Sequence, residues 1–379
     1  MVFTLFVFFL TLSILVFAHE LGHFLAARRF GVKAEEFGIG FPPRIVGVYR
    51  DKNGKRKVVW GGKKVQDADD TIFSLNLIPL GGFVKIKGED GDSLDPDSFA
   101  SKKPYQRAVI LLAGVTMNLV LAFLLISWGY MIGVSPTFSK EDAKGIIIVE
   151  VLPNSPAEQA GIKPYDIIKK VGETQVLSYE DLERAQGQWV DKPVVYTIKR
   201  QDEIKQIEVT PRLMSDTQKA GIGVLIQEIE TIKYPWYLAF WEGLKTTLFR
   251  TWIIITELVK FFGGLLAGSG LGASLAGPVG IASLSGKAAR MGLSYLINFT
   301  SVLSINLAIL NALPFPALDG GKLLFLIIEK IKGTPVKREI EAVIHQAGFA
   351  LLMLLVVVIT WREVHGAERF MQLINIIKR

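Results

Sequence analysis

Three side chains near the start of the chain have the types and spacing to hold a metal ion and put it to use. His19, Glu20 and His23 stand in HELGH, an HExxH pattern. Residues four apart share a helical face, so both imidazoles can converge on one ion, leaving Glu20 to take a proton from a water activated there. A catalytic centre of this kind usually has three protein ligands and one open position. The chain has no cysteine, so the third ligand must be a carboxylate or another histidine. Glu35 and Glu36 follow closely, but Gly31 is expected to end the helix before them; His345 opens the last apolar run and His365 lies in the tail. Asp319, in LNALPFPALDGGKLL, is the leading candidate and His345 the other. Pro314, Pro316, Gly320 and Gly321 interrupt an apolar run around Asp319, as expected where non-helical backbone lines an enclosed site. Capping the helix that follows would also suit this aspartate, but would not explain a charge so deep in apolar sequence.

The elements that must position these groups are membrane spans. Hydrophobic residues make up 50% of the 379, and mean hydropathy is +0.36. Long apolar runs occupy 2–27, 107–134, 293–328 and 342–361, and each reaches the roughly 20 residues that cross a bilayer core. At 1.5 Å per residue, His19 lies about 27 Å along the first helix, near the inner edge of a core roughly 30 Å thick. Ionisable groups at that depth are expensive unless they serve a purpose. The net charge of +7 gathers beside the run ends, at Arg28, Arg29, Lys33, Lys102, Lys103 and Arg107. Cytoplasmic loops collect such charge, so no nucleic-acid partner is implied. The first run is no signal peptide by its pattern: no Lys or Arg precedes Arg28, and its apolar core is too long. Without cysteine, disulfides and thiolate chemistry are excluded.

Between the runs the character changes. FGIGFPPRI (37–45) cannot be helical, and TIFSLNLIPLGGFVKIKGE (71–89) suggests strands around a Pro79–Gly82 turn, a β-hairpin dipping toward the membrane. The polar stretch KGIIIVEVLPNSPAEQAGIKPYDIIKKVGETQVLSYEDL (144–182) resembles a PDZ domain, with Lys144–Ile147 fitting the carboxylate-binding loop and strand. Segment 236–267 is apolar and aromatic, but Glu242, Lys245, Arg250, Glu257 and Lys260 interrupt it. It suits an amphipathic helix lying on the outer interface better than a span. The expected fold is a polytopic α-helical membrane protein of about four spans, with an inserted α/β PDZ domain and a membrane-associated β-hairpin. Its parts are 1–134 (two spans and the hairpin loop), 135–212 (the PDZ domain), 213–285 (an interfacial amphipathic region) and 286–379 (two spans).

HELGH, the run Asn311, Pro314, Pro316, Asp319 and Gly320, and a PDZ-like insert between them resemble the site-2 protease family of intramembrane zinc metalloproteases, in its bacterial regulator of sigma-E protease branch. FGIGFPP, NLIPLGGFVKIKGE, GVTMN (114–118) and LAGPVGIA (275–282) extend the likeness along the chain. Where the family usually reads Gly-Pro-x-x-Asn, this chain has Gly114-Val115-Thr116-Met117-Asn118. It shows one PDZ-like insert where the sigma-E regulator resembles a two-PDZ architecture. The resemblance implies zinc held by His19, His23 and Asp319, with Glu20 as base. It also implies a transmembrane-helix substrate already clipped by an upstream site-1-type protease, such as an anti-sigma factor or signal-peptide remnant. Asn306, Asn311, Pro314 and Pro316 would engage that substrate, and the 71–87 strands would offer it an edge. The setting implied is the lipid bilayer of the bacterial cytoplasmic (inner) membrane.

Two other classes are a silent scaffold with a structural zinc and an ion transporter. A structural site has no use for Glu20, and a transporter would spread polar groups over several depths. For His19 and Asp319 to share a depth, both spans must run inward, so 236–267 cannot add a crossing and the PDZ-like insert lies outside. A single cysteine at Ser269 should therefore react with an impermeant thiol reagent from the outer side. Labelling only from the cytoplasm would overturn both the topology and the shared depth.

Overall fold

Helix α1 (Val2–Arg29) carries no charge before His19 and ends on Arg28 and Arg29, basic side chains that complement the negative end of the helix dipole. Beyond it come strands β1 (Ala34–Arg50), β2 (Arg56–Trp60) and β3 (Ile72–Ile86), then helix α2 (Pro104–Ile132). The computed structural model describes residues 2–63, 65, 68–89, 93, 95–133, 144–164, 166–200, 203–214, 219–230, 233–266, 276–334 and 336–365. Ser269 and residue 275 therefore lie outside the described residues. Four described helices are long and apolar enough to cross a bilayer: α1, α2, α7 (Leu293–Ala312) and α9 (Arg338–His365). The chain divides into two compact units. One comprises Met1–Ser127, Phe240–Lys287 and Asn298–Arg379, the other Trp128–Ala239 and Ala288–Ile297.

In the first unit the expected hairpin is replaced by an interleaved sheet of order β2-β1-β3. Its two halves do not pair with each other across the Pro79–Gly82 turn. The first half of β1 separates them: Phe37 faces both Val84 and Phe73, and Ile39 both Gly82 and Leu75. Small residues permit this. A Cβ at Gly38 would lie 2.8 Å from Ser74 Oγ, and one at Gly82 2.8 Å from the Gly38 carbonyl. Asn76 Nδ2 then donates to Gly40 O at 3.0 Å, tying the bend of β1 to β3. Ile39, Phe41, Phe73, Leu75 and Leu77 are left exposed on this sheet.

The second unit is built on a six-stranded sheet around β4 (Lys144–Val151), β5 (Ile167–Val171), β7 (Val194–Arg200), β8 (Glu203–Val209) and β11 (Val224–Glu230), with β6 (Thr174–Gln175) paired to β5. Helix α3 (Pro156–Gln159) is capped by Ser155, and α4 (Tyr179–Gly187) by a capping box of Ser178 and Asp181. A ribbon of β9 (Arg212–Leu213) and β10 (Ala220–Gly221) leads into β11. The core is Ile146, Ile148, Ile168, Val171, Leu182, Tyr196, Ile198 and Ile222. This sheet extends past the expected boundary at 212, because β11 pairs along the length of β4 from Val224↔Val151 to Glu230↔Lys144. With β11 on one side and β5 on the other, β4 is an inner strand. On its other side β4 pairs β5 only at Ile146↔Ile168 and Ile147↔Ile167, and β11 and β8 are the outer strands of the sheet.

Segment 236–267 forms helix α5 (Trp236–Leu266) and is not among the four span-like helices. Four of its charges pair locally, Lys245 with Glu242 at 2.8 Å and Lys260 with Glu257 at 2.7 Å. Arg250 donates to Asn298 Oδ1 at 2.7 Å, and Trp236, Trp241 and Trp252 stay exposed. Helix α6 (Pro278–Met291) follows, its first turn receiving the Glu363 carboxylate on Gly277 N at 2.7 Å. The long apolar run 293–328 breaks where its prolines and glycines stand: α7 stops at Ala312 and α8 (Asp319–Lys332) begins at the aspartate.

Candidate metal centre

The centre is assembled from three helices whose backbones come unusually close. Helix α1 presents His19 and His23 on one face, both buried. Gly22, between them, lets α2 approach until a Cβ there would lie 2.9 Å from Met117 Cβ and nearer still to the Ala113 carbonyl. Gly114 completes the fit from the other side, since a Cβ on it would stand 2.7–2.8 Å from His19 Cε1 and Nδ1. Both rings therefore lie against bare backbone.

Asp319 reaches the same place from a short irregular segment. A Cβ at Gly320 would sit 2.6 Å from the Ala312 carbonyl carbon, and one at Gly321 2.9 Å from that of Phe315, so the turn closes only with glycine at both positions. Ala317 has a positive φ of 76°, and its N–H donates to His345 Nδ1 at 2.8 Å. Gly348 meanwhile lets α9 press on Pro316. Leu318, with no side-chain cap, is the N-cap of α8, so the Asp319 carboxylate is turned elsewhere: Oδ2 stands 3.0 Å from His19 Nε2 and 3.2 Å from His23 Nε2. The two Nε2 atoms are themselves 3.1 Å apart.

These three are the one group of His, Cys, Asp and Glu among the described residues whose donor atoms all lie within 4.8 Å of one another. Two neutral imidazoles and a carboxylate facing each other present lone pairs to a single point. Asp319 Oδ2 is buried and has no hydrogen-bond donor. A metal cation would satisfy such a set at once, and two nitrogens with one oxygen suit zinc. The residues fit the metal.

The other candidates are engaged elsewhere. Glu36 takes Arg44 in a two-point ion pair, with Nε at 2.9 Å, and Glu35 pairs with Lys85 at 2.7 Å. His345 pins Ala317, and His365 stacks on Trp361 at 3.9 Å. Glu20 accepts the Val84 N–H of β3 at 2.9 Å. The same strand rests on α1 further up, where Gly81 N donates to Ser13 Oγ at 3.1 Å. Asn306 and Asn311 lie half-buried on the last turns of α7, with Pro314 exposed and Pro316 half-buried in the segment before Asp319. Sequence reasoning assigned no part to Ile110, Gly114, Asn118 or Val84 in building the centre, and weighed His345 only as a ligand, which it is not placed to be. The signal for the first three was their spacing of four on α2, which puts them on one helical face.

Apolar helices enclosing two histidines, an aspartate and a neighbouring glutamate define an integral membrane protein of the metallopeptidase class. Its sequence matches the model of "Peptidase family M50" over residues 7–355, and the chain belongs to that family. It is 30% identical to the regulator of sigma-W protease RasP of Bacillus subtilis, over 95% of this chain and 98% of that one. It is 27% identical to the zinc metalloprotease RasP of Geobacillus kaustophilus, over 94% and 96%. Among solved structures, the PDZ domain of an SdrC-like protein from Listeria monocytogenes is similar at 18% identity and a TM-score of 0.20, covering 22% of this chain and 87% of that one.

Gly114→Ala tests the close approach. The added methyl overpacks both rings, a change that typically costs about 1–3 kcal/mol, so zinc affinity in a chelator-buffered titration should fall by roughly tenfold or more. Unchanged affinity would show that the rings do not depend on bare backbone at 114.

Proposed function

We propose that this chain is an intramembrane zinc metalloprotease that hydrolyses peptide bonds within transmembrane helices of membrane proteins already cut on the outer side. Anti-sigma factors and signal-peptide remnants are substrates of this type. The observation carrying this reading is the convergence of His19, His23 and Asp319 on one point, on and beside span-like helices, with Glu20 one residue from the first ligand. The name of the Bacillus relative, a regulator of sigma-W protease, supports a place in regulated proteolysis.

In this reading His19, His23 and Asp319 hold the metal, which is zinc. When bound there, zinc acidifies a water molecule and polarises the scissile carbonyl. Glu20 removes the proton from that water and returns it to the leaving amine. The hydrogen bond from Val84 N–H keeps its carboxylate on the β3 side, in one orientation. A helical substrate must unwind first, because its carbonyls are occupied by its own hydrogen bonds. The amides of Asn306 and Asn311 replace some of those bonds, Pro314 and Pro316 hold the neighbouring backbone open, and the β1–β3 sheet offers the extended segment an edge.

The basic residues beside the ends of α1 and α2 favour a cytoplasmic position for those ends. The centre then lies near the cytoplasmic face of the bacterial inner membrane, and the second folded unit outside. That unit is a PDZ-like domain whose edge strand β11 can take up a peptide. Its part is to restrict access to substrates trimmed by an upstream site-1-type protease.

Glu20→Gln should keep about one zinc per chain while turnover falls by roughly 10²- to 10⁴-fold, the usual contribution of a general base. Turnover within tenfold of the native enzyme would remove Glu20 from the mechanism. A second experiment addresses access. Deleting 144–230 should leave zinc content and cleavage of a short, pre-trimmed substrate intact while relaxing discrimination against the untrimmed form. Loss of cleavage of both forms in folded, zinc-loaded protein would mean that the unit helps assemble the active site.

A further inference from the structure

The two histidines meet α2 at opposite ends of one stripe. A neutral imidazole has one ring proton, so a nitrogen that gives its lone pair to a metal requires the proton on the other nitrogen. For His23 this is settled by geometry. Its Nδ1 lies 2.8 Å from the Ile110 carbonyl, which can only accept, so Nδ1 carries the proton and Nε2 is free to face Asp319. His19 also turns Nε2 to Asp319, at 3.0 Å, and its Nδ1 meets the side-chain amide of Asn118 at 3.4 Å.

Asn118 is completely buried, and its Oδ1 has no hydrogen-bond partner. With the amide nitrogen toward the ring, Nδ1 would have to accept, and the ring proton would move to Nε2, into the midst of the ligand atoms. A half-turn of the amide exchanges an oxygen and a nitrogen of almost the same size. It places Oδ1 against Nδ1–H and gives the orphaned oxygen its donor.

We propose that Asn118 is a positioning residue for the metal centre: its Oδ1 accepts the Nδ1–H of His19 and fixes the tautomer that ligates through Nε2, as the Ile110 carbonyl does for His23. Ile110, Gly114 and Asn118 follow one another at four-residue intervals, so acceptor, bare backbone and acceptor face the two rings in order. The residue is itself held from a third helix, because the buried Ser304 on α7 donates to the Asn118 carbonyl at 2.7 Å. Outer acceptors of this kind raise ligand basicity and fix ring orientation. The inference rests on His19, His23 and Asp319 being the ligands.

The test compares zinc affinity, by chelator competition on the purified full-length protein, for the native chain and for Asn118→Leu, Asn118→Asp and Asp319→Ala. Asp319→Ala examines the ligand reading separately: native affinity there sinks that reading, whatever the Asn118 variants do. Asn118→Leu keeps the volume and loses the acceptor, so affinity should fall by roughly 10- to 100-fold. Asn118→Asp restores an acceptor and should stay within about threefold of native. A residue that merely packs gives the opposite order, with leucine tolerated and the buried carboxylate disruptive, and that order overturns the proposal. If the leucine variant does not fold, nitrogen-15 NMR of histidine-labelled, zinc-loaded native protein decides. The expected signature is a protonated Nδ1 on His19; an unprotonated Nδ1 refutes the assignment.

Discussion

Two imidazoles and a carboxylate whose donor atoms sit within 4.8 Å of one another are a set that one shared cation would satisfy. The rest of the first unit can be understood as what brings these groups together and keeps them there. Gly22 and Gly114 remove the side chains that would hold α1 and α2 apart. The α7-to-α8 break delivers a carboxylate at the start of a helix, and His345 holds the backbone before it. Val84 holds the neighbouring carboxylate of Glu20. Each device is local, and each serves distances of about 3 Å that mutual repulsion of the donors would otherwise widen.

Much of this was legible in the sequence, because histidine, glutamate and aspartate inside apolar runs are costly and so stand out. The break around Asp319 was legible for a similar reason, since Pro314 and Pro316 cannot continue a helix. What the sequence concealed was pairing at a distance. The alternation of 71–89 announces strands, but nothing in it says that residues 34–39 will lie between them. VLIQEIE (224–230) also alternates in part, yet its partner is a strand some 80 residues earlier, and no local pattern encodes that. Asn118 belongs to the same class, reading as one polar residue in a span until the chain brings it to a ring 99 positions away.

The position of β11 also changes how the second unit can act. A peptide adds to a sheet only where backbone groups are unpaired, and along β4 the side facing β11 is taken from Lys144 to Val151. The outer strand β11 is also the last strand before α5 in chain order.

The backbone contact at Gly22 and Gly114 has a further consequence for a protein in a fluid matrix. A membrane-spanning helix answers a change in bilayer thickness by tilting or by distorting the lipid around it. Helices separated by large side chains can shear or splay as they adjust. Helices already in backbone contact have no slack to give, and no acyl chain can enter a seam without a gap. The pair must then lean as a single body, carrying both imidazoles with it. The seating of both imidazoles against α2 is in this way set by the helix contact itself, and a bilayer that tilts α1 must tilt α2 with it.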